Sequence, residues 1–81
     1  MRTVQEVMVI LKECRKVRGI SVPEVAEYIH KETTTKVSPK TVYGWESGVS
    51  RPDIQEFIAM CNLYMICDIK ELFIEELLET E

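Results

Sequence analysis

Eighty-one residues, 46% of them hydrophobic and 30% charged, suffice for one small core and leave little room for a deep substrate cleft, so residues 1–81 are expected to form a single domain. No apolar run approaches the ~20 residues that cross a bilayer. The opening segment lacks the basic, apolar and small-residue order of a signal peptide, so the expected setting is cytoplasmic and no membrane partner is expected. The net charge of −4 argues at first against a polyanionic partner, but it is unevenly spread. Residues 1–51 carry nine Lys/Arg against six Asp/Glu, and residues 52–81 carry one Lys against eight acids. A basic front and an acidic back suit a protein that turns one face toward phosphate, although a solvated acidic C-terminal segment explains the same numbers.

Five helices can be placed in chain order. Val4, Val7, Met8, Leu11 and Cys14 recur at helical spacing, and Gly19 stands where a C-terminal cap belongs, so helix 1 is predicted over about residues 3–18. Ser21-Val22-Pro23-Glu24 is a capping-box pattern with Pro in the first turn, where its missing N–H costs nothing. It opens helix 2, about residues 22–31, with Val22, Val25, Ala26 and Ile29 on one face. The β-branched, polar run from Glu32 through Thr33, Thr34 and Thr35 to Lys36 and Val37 reads as a loop. Ser38-Pro39 starts a short helix 3, about residues 39–46, anchored by Val42 and Trp45 and ended before Gly48. Asp53 and Glu56 form a further capping box opening helix 4, with Ile54, Phe57, Ile58 and Cys61 expected on the core side. Asp68 and Glu71 repeat the pattern and predict helix 5, with Ile69, Leu72, Phe73 and Leu77 inward. No segment alternates at period two, so the expected class is all-α.

Three cysteines, Cys14, Cys61 and Cys67, none in a CxxC pair, are expected to be reduced packing residues. His30 is the one histidine, so a zinc site has no ready ligand set, and neither metal nor other cofactor is expected. The chain shows no Gly-rich phosphate loop, no nucleophile paired with His and no carboxylate pair with a pocket to serve. The expectation is a protein that is not an enzyme and takes no small-molecule substrate.

A short capped helix, a turn and a shorter capped helix make the outline of a helix-turn-helix, in which the second helix enters the major groove. Helix 3 is suited to that position. Val42 and Trp45 anchor one side and leave Lys40, Thr41, Tyr43 and Gly44 outward or lateral.

Over roughly residues 7–73 the sequence resembles the lambda-repressor-like (Cro/CI, XRE-type) helix-turn-helix domains of bacterial and phage regulators. The resemblance rests on Leu11-x-x-Cys14-Arg15, Gly19-Ile20-Ser21, Val25-Ala26 and above all Trp45-Glu46-Ser47-Gly48-x-x-Arg51-Pro52. It implies a five-helix domain and double-stranded DNA as the partner. It also implies a salt bridge between Arg15 and Glu46 that orients helix 3, and for Trp45 a place in the core rather than against bases. Three departures stand out. Val22 occupies a position where relatives often place a phosphate-binding Gln. Pro39 and Gly44 occupy positions where they often place base-reading residues. The turn between helices 2 and 3 is lengthened.

Base reading is therefore expected from Lys40, Thr41 and Tyr43, and phosphate contact from Lys31, Lys36, Ser38, Ser47 and Arg51. The long turn, with its threonines and lysines, is expected to supply the phosphate contact that the Val22 side chain cannot make, unless it is a tolerated insertion. Ile74 and Leu78 fall outside the inward stripe of helix 5, which suggests a homodimer through that helix. The competing reading is a protein-interaction module on the same fold, antitoxin-like or anti-repressor, which the net charge, Val22 and Gly44 favour.

Overall fold

Helices begin in this chain where a side chain can take up free backbone N–H groups. Thr3, Ser21 and Asp53 each accept from the N–H three residues on, and Glu6, Glu24 and Glu56 each bond back to the cap's own N–H. Ser38 accepts from Thr41 N–H at 3.3 Å, with Pro39 next in the chain. Each cap contributes about 1 kcal/mol. The computed structural model describes residues 1–74. These caps open α1 (Val4–Val17), α2 (Val22–Glu32), α3 (Pro39–Ser47) and α4 (Ile54–Leu63), followed by one 3-10 turn at Ile69–Leu72. Among the described residues there is no strand. The reciprocal Thr3–Glu6 pair is a start signal additional to those read from the sequence.

The core is built from one stripe of each helix. Val7, Met8 and Leu11 of α1, Val22, Val25, Ala26 and Ile29 of α2, and Val42 and Trp45 of α3 are all buried. Val4 and Cys14 are half-buried at its margin. The expectation for α4 needs correction. Phe57 and Cys61 are buried, but Ile54 is 68% and Ile58 48% exposed, while Ala59, Met60 and Tyr64 are buried. The helix is apolar on two adjoining stripes. The one through Phe57, Met60, Cys61 and Tyr64, at helical spacing, meets the core, and the one through Ile54 and Ile58 is left over.

The fifth helix is also corrected as far as the described residues reach. Asp68 makes no side-chain cap bond, and among the described residues the segment after it forms a four-residue 3-10 turn. Arg2 takes up the backbone here. Its N–H donates to Phe73 O at 2.8 Å, and its Nη1 donates to Leu72 O at 3.1 Å and Ile74 O at 3.4 Å. The segment is thus held to the start of the chain, and Ile69, Leu72 and Phe73 pack half-buried against the core. Ile74 is half-buried; Leu77 and Leu78 lie outside the described residues.

Residues 33–38 join α2 to α3. Thr33 spends its hydroxyl locally, donating to Ile29 O at 2.8 Å and accepting from Thr35 N–H at 3.1 Å. Val37 is buried and fastens the loop to the core. The cysteines differ in setting. Cys61 is buried, and that burial pushes its thiol up to about 11, whereas Cys67 is exposed and is not the packing residue expected from its neighbours.

Two outcomes follow from these settings. In the native protein a thiol reagent is expected to label Cys67 rapidly and Cys61 only after unfolding; prompt labelling of both would refute the burial of Cys61. Met65 closes α4 with φ at 63° although it has a side chain, and it is 75% exposed, so that side chain buries little. Left-handed backbone costs a residue with a Cβ about 1–2 kcal/mol, which glycine avoids at a smaller cost in unfolded-state entropy. Met65→Gly should therefore raise stability by about 0.5 kcal/mol in denaturant unfolding.

Candidate nucleic-acid interface

α3 presents its outer face because its inner face is held from three directions. Val42 and Trp45 are sunk in the core. Glu46, one residue further on, is buried too and meets Arg15 of α1. Arg15 Nε donates to Glu46 Oε2 at 2.7 Å, and Nη2 donates to Oε1 at 3.1 Å. A third donor, Nη1, reaches Ile20 O at 2.9 Å in the α1–α2 turn. The side chains are 11% and 4% exposed, so the two-point contact sits out of water. Glu46 holds the Arg15 guanidinium above its ordinary pKa through this hydrogen bond and its charge. A fork-to-fork contact fixes direction as well as distance, so α1, α3 and the α1–α2 turn are locked at one point. Tyr64 is fully buried, and burial drives its phenol well above the usual tyrosine range.

The far end of α3 is shaped by a return turn. Gly48, at φ 86°, lets the chain reverse. Gly44 O then accepts from Val49 N–H at 2.9 Å and Ser50 N–H at 3.2 Å, and from the Ser47 hydroxyl at 3.2 Å. A Cβ at Gly44 would stand 3.1 Å from Ser50 Oγ. A side chain there would require the Ser50 hydroxyl to shift by a few tenths of an ångström.

Lys40, Thr41 and Tyr43 are exposed together on α3, with Tyr43 56% exposed, and Ser47 lies beside them. They line one groove, of about 660 Å³, whose other wall is α1 with Lys12 and Lys16. Ser38 is at the N-terminal tip of α3, where its hydroxyl caps the helix and lies 3.1 Å from Thr41 Oγ1. Lys36 is exposed on the preceding loop, and Arg51 is exposed just beyond the return turn. Lys31 is placed apart from these: with Thr33 and Thr34 it lines a separate groove against Gln55 and Asn62 of α4. Val22 is buried, and the N-terminus of α2 is closed by its own Ser21–Glu24 box. Lys12 and Lys16 had no sequence motif to mark them; the available signal was their spacing of four, astride Arg15.

A family model described as helix-turn-helix matches residues 11–72, from the middle of α1 to the end of the 3-10 turn. The chain belongs to the lambda-repressor-like helix-turn-helix family. This is a family of DNA-binding domains. No curated protein and no solved structure matches the chain. Among the described residues no helix is long and apolar enough to cross a membrane.

In this helix-turn-helix domain, removing one side of the buried pair leaves the other charged and unpartnered, a cost of about 3 kcal/mol. Arg15→Ala and Glu46→Ala should each lower stability by that amount in urea unfolding. The double variant should lose clearly less than the two losses combined. Strict additivity would show that the pair is not coupled.

Proposed function

We propose that this protein is a sequence-specific transcriptional regulator that places α3 in the major groove of double-stranded DNA. The observation that carries the reading is the isolation of Lys40, Thr41 and Tyr43. The core anchors and the Arg15–Glu46 pair hold α3 from behind and leave these three side chains exposed on one helix. An α-helix fits the major groove, and such side chains meet base edges there. Lys36 and Ser38 before the helix, Ser47 at its last position and Arg51 beyond it flank the reading face and serve phosphate. Lys31 lines the α2–α4 groove instead, so the reading asks less of it. The α2–α3 loop, expected to stand in for Val22 at phosphate, offers Lys36, while the Thr33 hydroxyl is already engaged.

The active form in this reading is a homodimer. Support comes from the unused apolar stripe of α4, where exposed Ile54 and Ile58 border a shallow groove with Val4, Ile69 and Phe73. An exposed apolar face of this kind suits a two-fold pair, in which the same patch of both copies is covered. The same stripe favours a second reading, a protein-interaction module on this scaffold that binds DNA weakly or not at all.

The test is duplex binding as a function of salt after selection on genomic fragments. Lys40→Ala should weaken the selected sequence more than random duplex. Arg51→Ala should weaken both alike and flatten the dependence of log affinity on log salt by about one unit. An intact protein that binds no duplex at low salt would instead favour the protein-interaction reading.

A further inference from the structure

The groove between α1 and α3 gathers cations that no described residue neutralises. Lys12 and Lys16 stand on its α1 wall and Lys40 on its α3 wall. The only carboxylate lining it is Glu46, which is already committed to Arg15. Among the described residues, no carboxylate is within ion-pair distance of any of the three lysines. Lys12 and Lys16 are four apart, so they are neighbours on one helix face, where like charges oppose each other. Lys40 across the groove adds to that repulsion.

The acid that would balance them is concentrated in one stretch of the chain. Residues 75–81 hold Glu75, Glu76, Glu79 and Glu81 and no Lys or Arg. The point from which this stretch departs is set by Arg2, which bonds the backbone carbonyls of Leu72, Phe73 and Ile74. Three residues after Arg2, the Gln5 amide donates to Gly48 O at 3.4 Å. Val49 and Ser50, next in the chain, line the groove. The acidic stretch therefore departs near one end of the groove. Lys12 lies about 15 Å beyond Arg2 along α1, and Lys16 about 21 Å. A chain of seven residues spans up to about 25 Å, enough to reach both.

Building on the DNA-binding reading above, we propose that the acidic residues 75–81 are an internal competitor for the groove beside the reading face: their glutamates pair with Lys12, Lys16 and Lys40 in the free protein, and a duplex displaces them. A single exposed ion pair holds little, but several on a short tether act at high local concentration. While they are paired, Lys40 is engaged and the approach to Tyr43 is negatively charged. Only the fraction of protein with an open groove binds, so the affinity for every duplex falls by the same factor. Random DNA, held by charge alone, then drops out at concentrations where a sequence with base contacts is still bound. The acidic net charge of −4 becomes part of the device rather than an obstacle to it.

The experiment uses residues 1–81 throughout and compares the parent with the variant Glu75→Gln/Glu76→Gln/Glu79→Gln/Glu81→Gln. A control, Glu27→Gln/Glu32→Gln/Asp68→Asn/Glu71→Gln, removes the same charge from exposed positions outside the groove. Melting temperatures establish that each is folded. Without DNA, lysines are acetylated with an N-hydroxysuccinimide ester and read by mass spectrometry, with exposed Lys36 as the internal reference. An ion pair keeps the amine protonated and slows acylation. At low salt Lys12, Lys16 and Lys40 should react about threefold more slowly in the parent and the control than in the segment variant, and equally in all three at high salt. By anisotropy, the segment variant should bind a random duplex and a duplex selected from genomic fragments about tenfold more tightly than the parent, and the control by a clearly smaller factor. Equal labelling of the three lysines in parent and segment variant at low salt would overturn the competitor and leave the DNA-binding reading intact. Equal gains in affinity for the segment variant and the control would also overturn it, because net charge alone would then account for them. A segment variant that labels faster yet binds neither duplex would overturn the DNA-binding reading and the competition with it, leaving only the ion pairing.

Discussion

The orientation of α3 depends on a two-point contact between Arg15 and Glu46, with a third donor of the same guanidinium on Ile20 O. Apolar packing alone holds a nine-residue helix against a core but restrains its rotation weakly, since neighbouring rotations bury similar area. A guanidinium with three committed hydrogen bonds removes that freedom. It also ties α3 to the α1–α2 turn, so three elements share one reference point. The arrangement demands that both charges be desolvated together. That is tolerable because the fork geometry satisfies both carboxylate oxygens.

From this point the rest of α3 follows. Its N-terminus is closed by Ser38 and Pro39, and its C-terminus by Gly48 and the chain that returns to Gly44 O. A helix this short has few internal hydrogen bonds, so its ends matter more than its propensity. Gly44 weakens helix propensity, yet it lets Ser50 approach to a distance a Cβ would contest. A glycine at a position where relatives often read bases thus has a structural use at the turn.

Charge is organised by the same scaffold. The chain is acidic as a whole, but Lys12, Lys16 and Lys40 converge on one groove because the Arg15–Glu46 contact draws α1 and α3 together. The buried Glu46 contributes its charge inward to Arg15. The apolar stripe of Ile54 and Ile58 lies on α4, beside a separate groove.

Much of this was legible in the residues. The starts at Ser21, Ser38 and Asp53 and the reversals at Gly19 and Gly48 are local events, in which donor, acceptor and backbone conformation lie within one turn. The inward stripes of α1, α2 and α3 were legible because each of those helices has one apolar face. Family resemblance supplied the expectation of an Arg15–Glu46 contact that helical spacing could not. The remainder required the tertiary structure. α4 has two apolar stripes, and only the positions of its neighbours decide that Ile54 and Ile58 stay outside. Asp68 and Glu71 carry a start pattern, but contacts with Arg2 at the opposite end of the chain accompany a 3-10 turn there. The groove that unites Lys12 and Lys16 with Lys40 joins residues far apart in sequence. Short-range hydrogen bonds write themselves into neighbouring residues, whereas the choice between competing faces and the meeting of distant charges are set by how the helices pack.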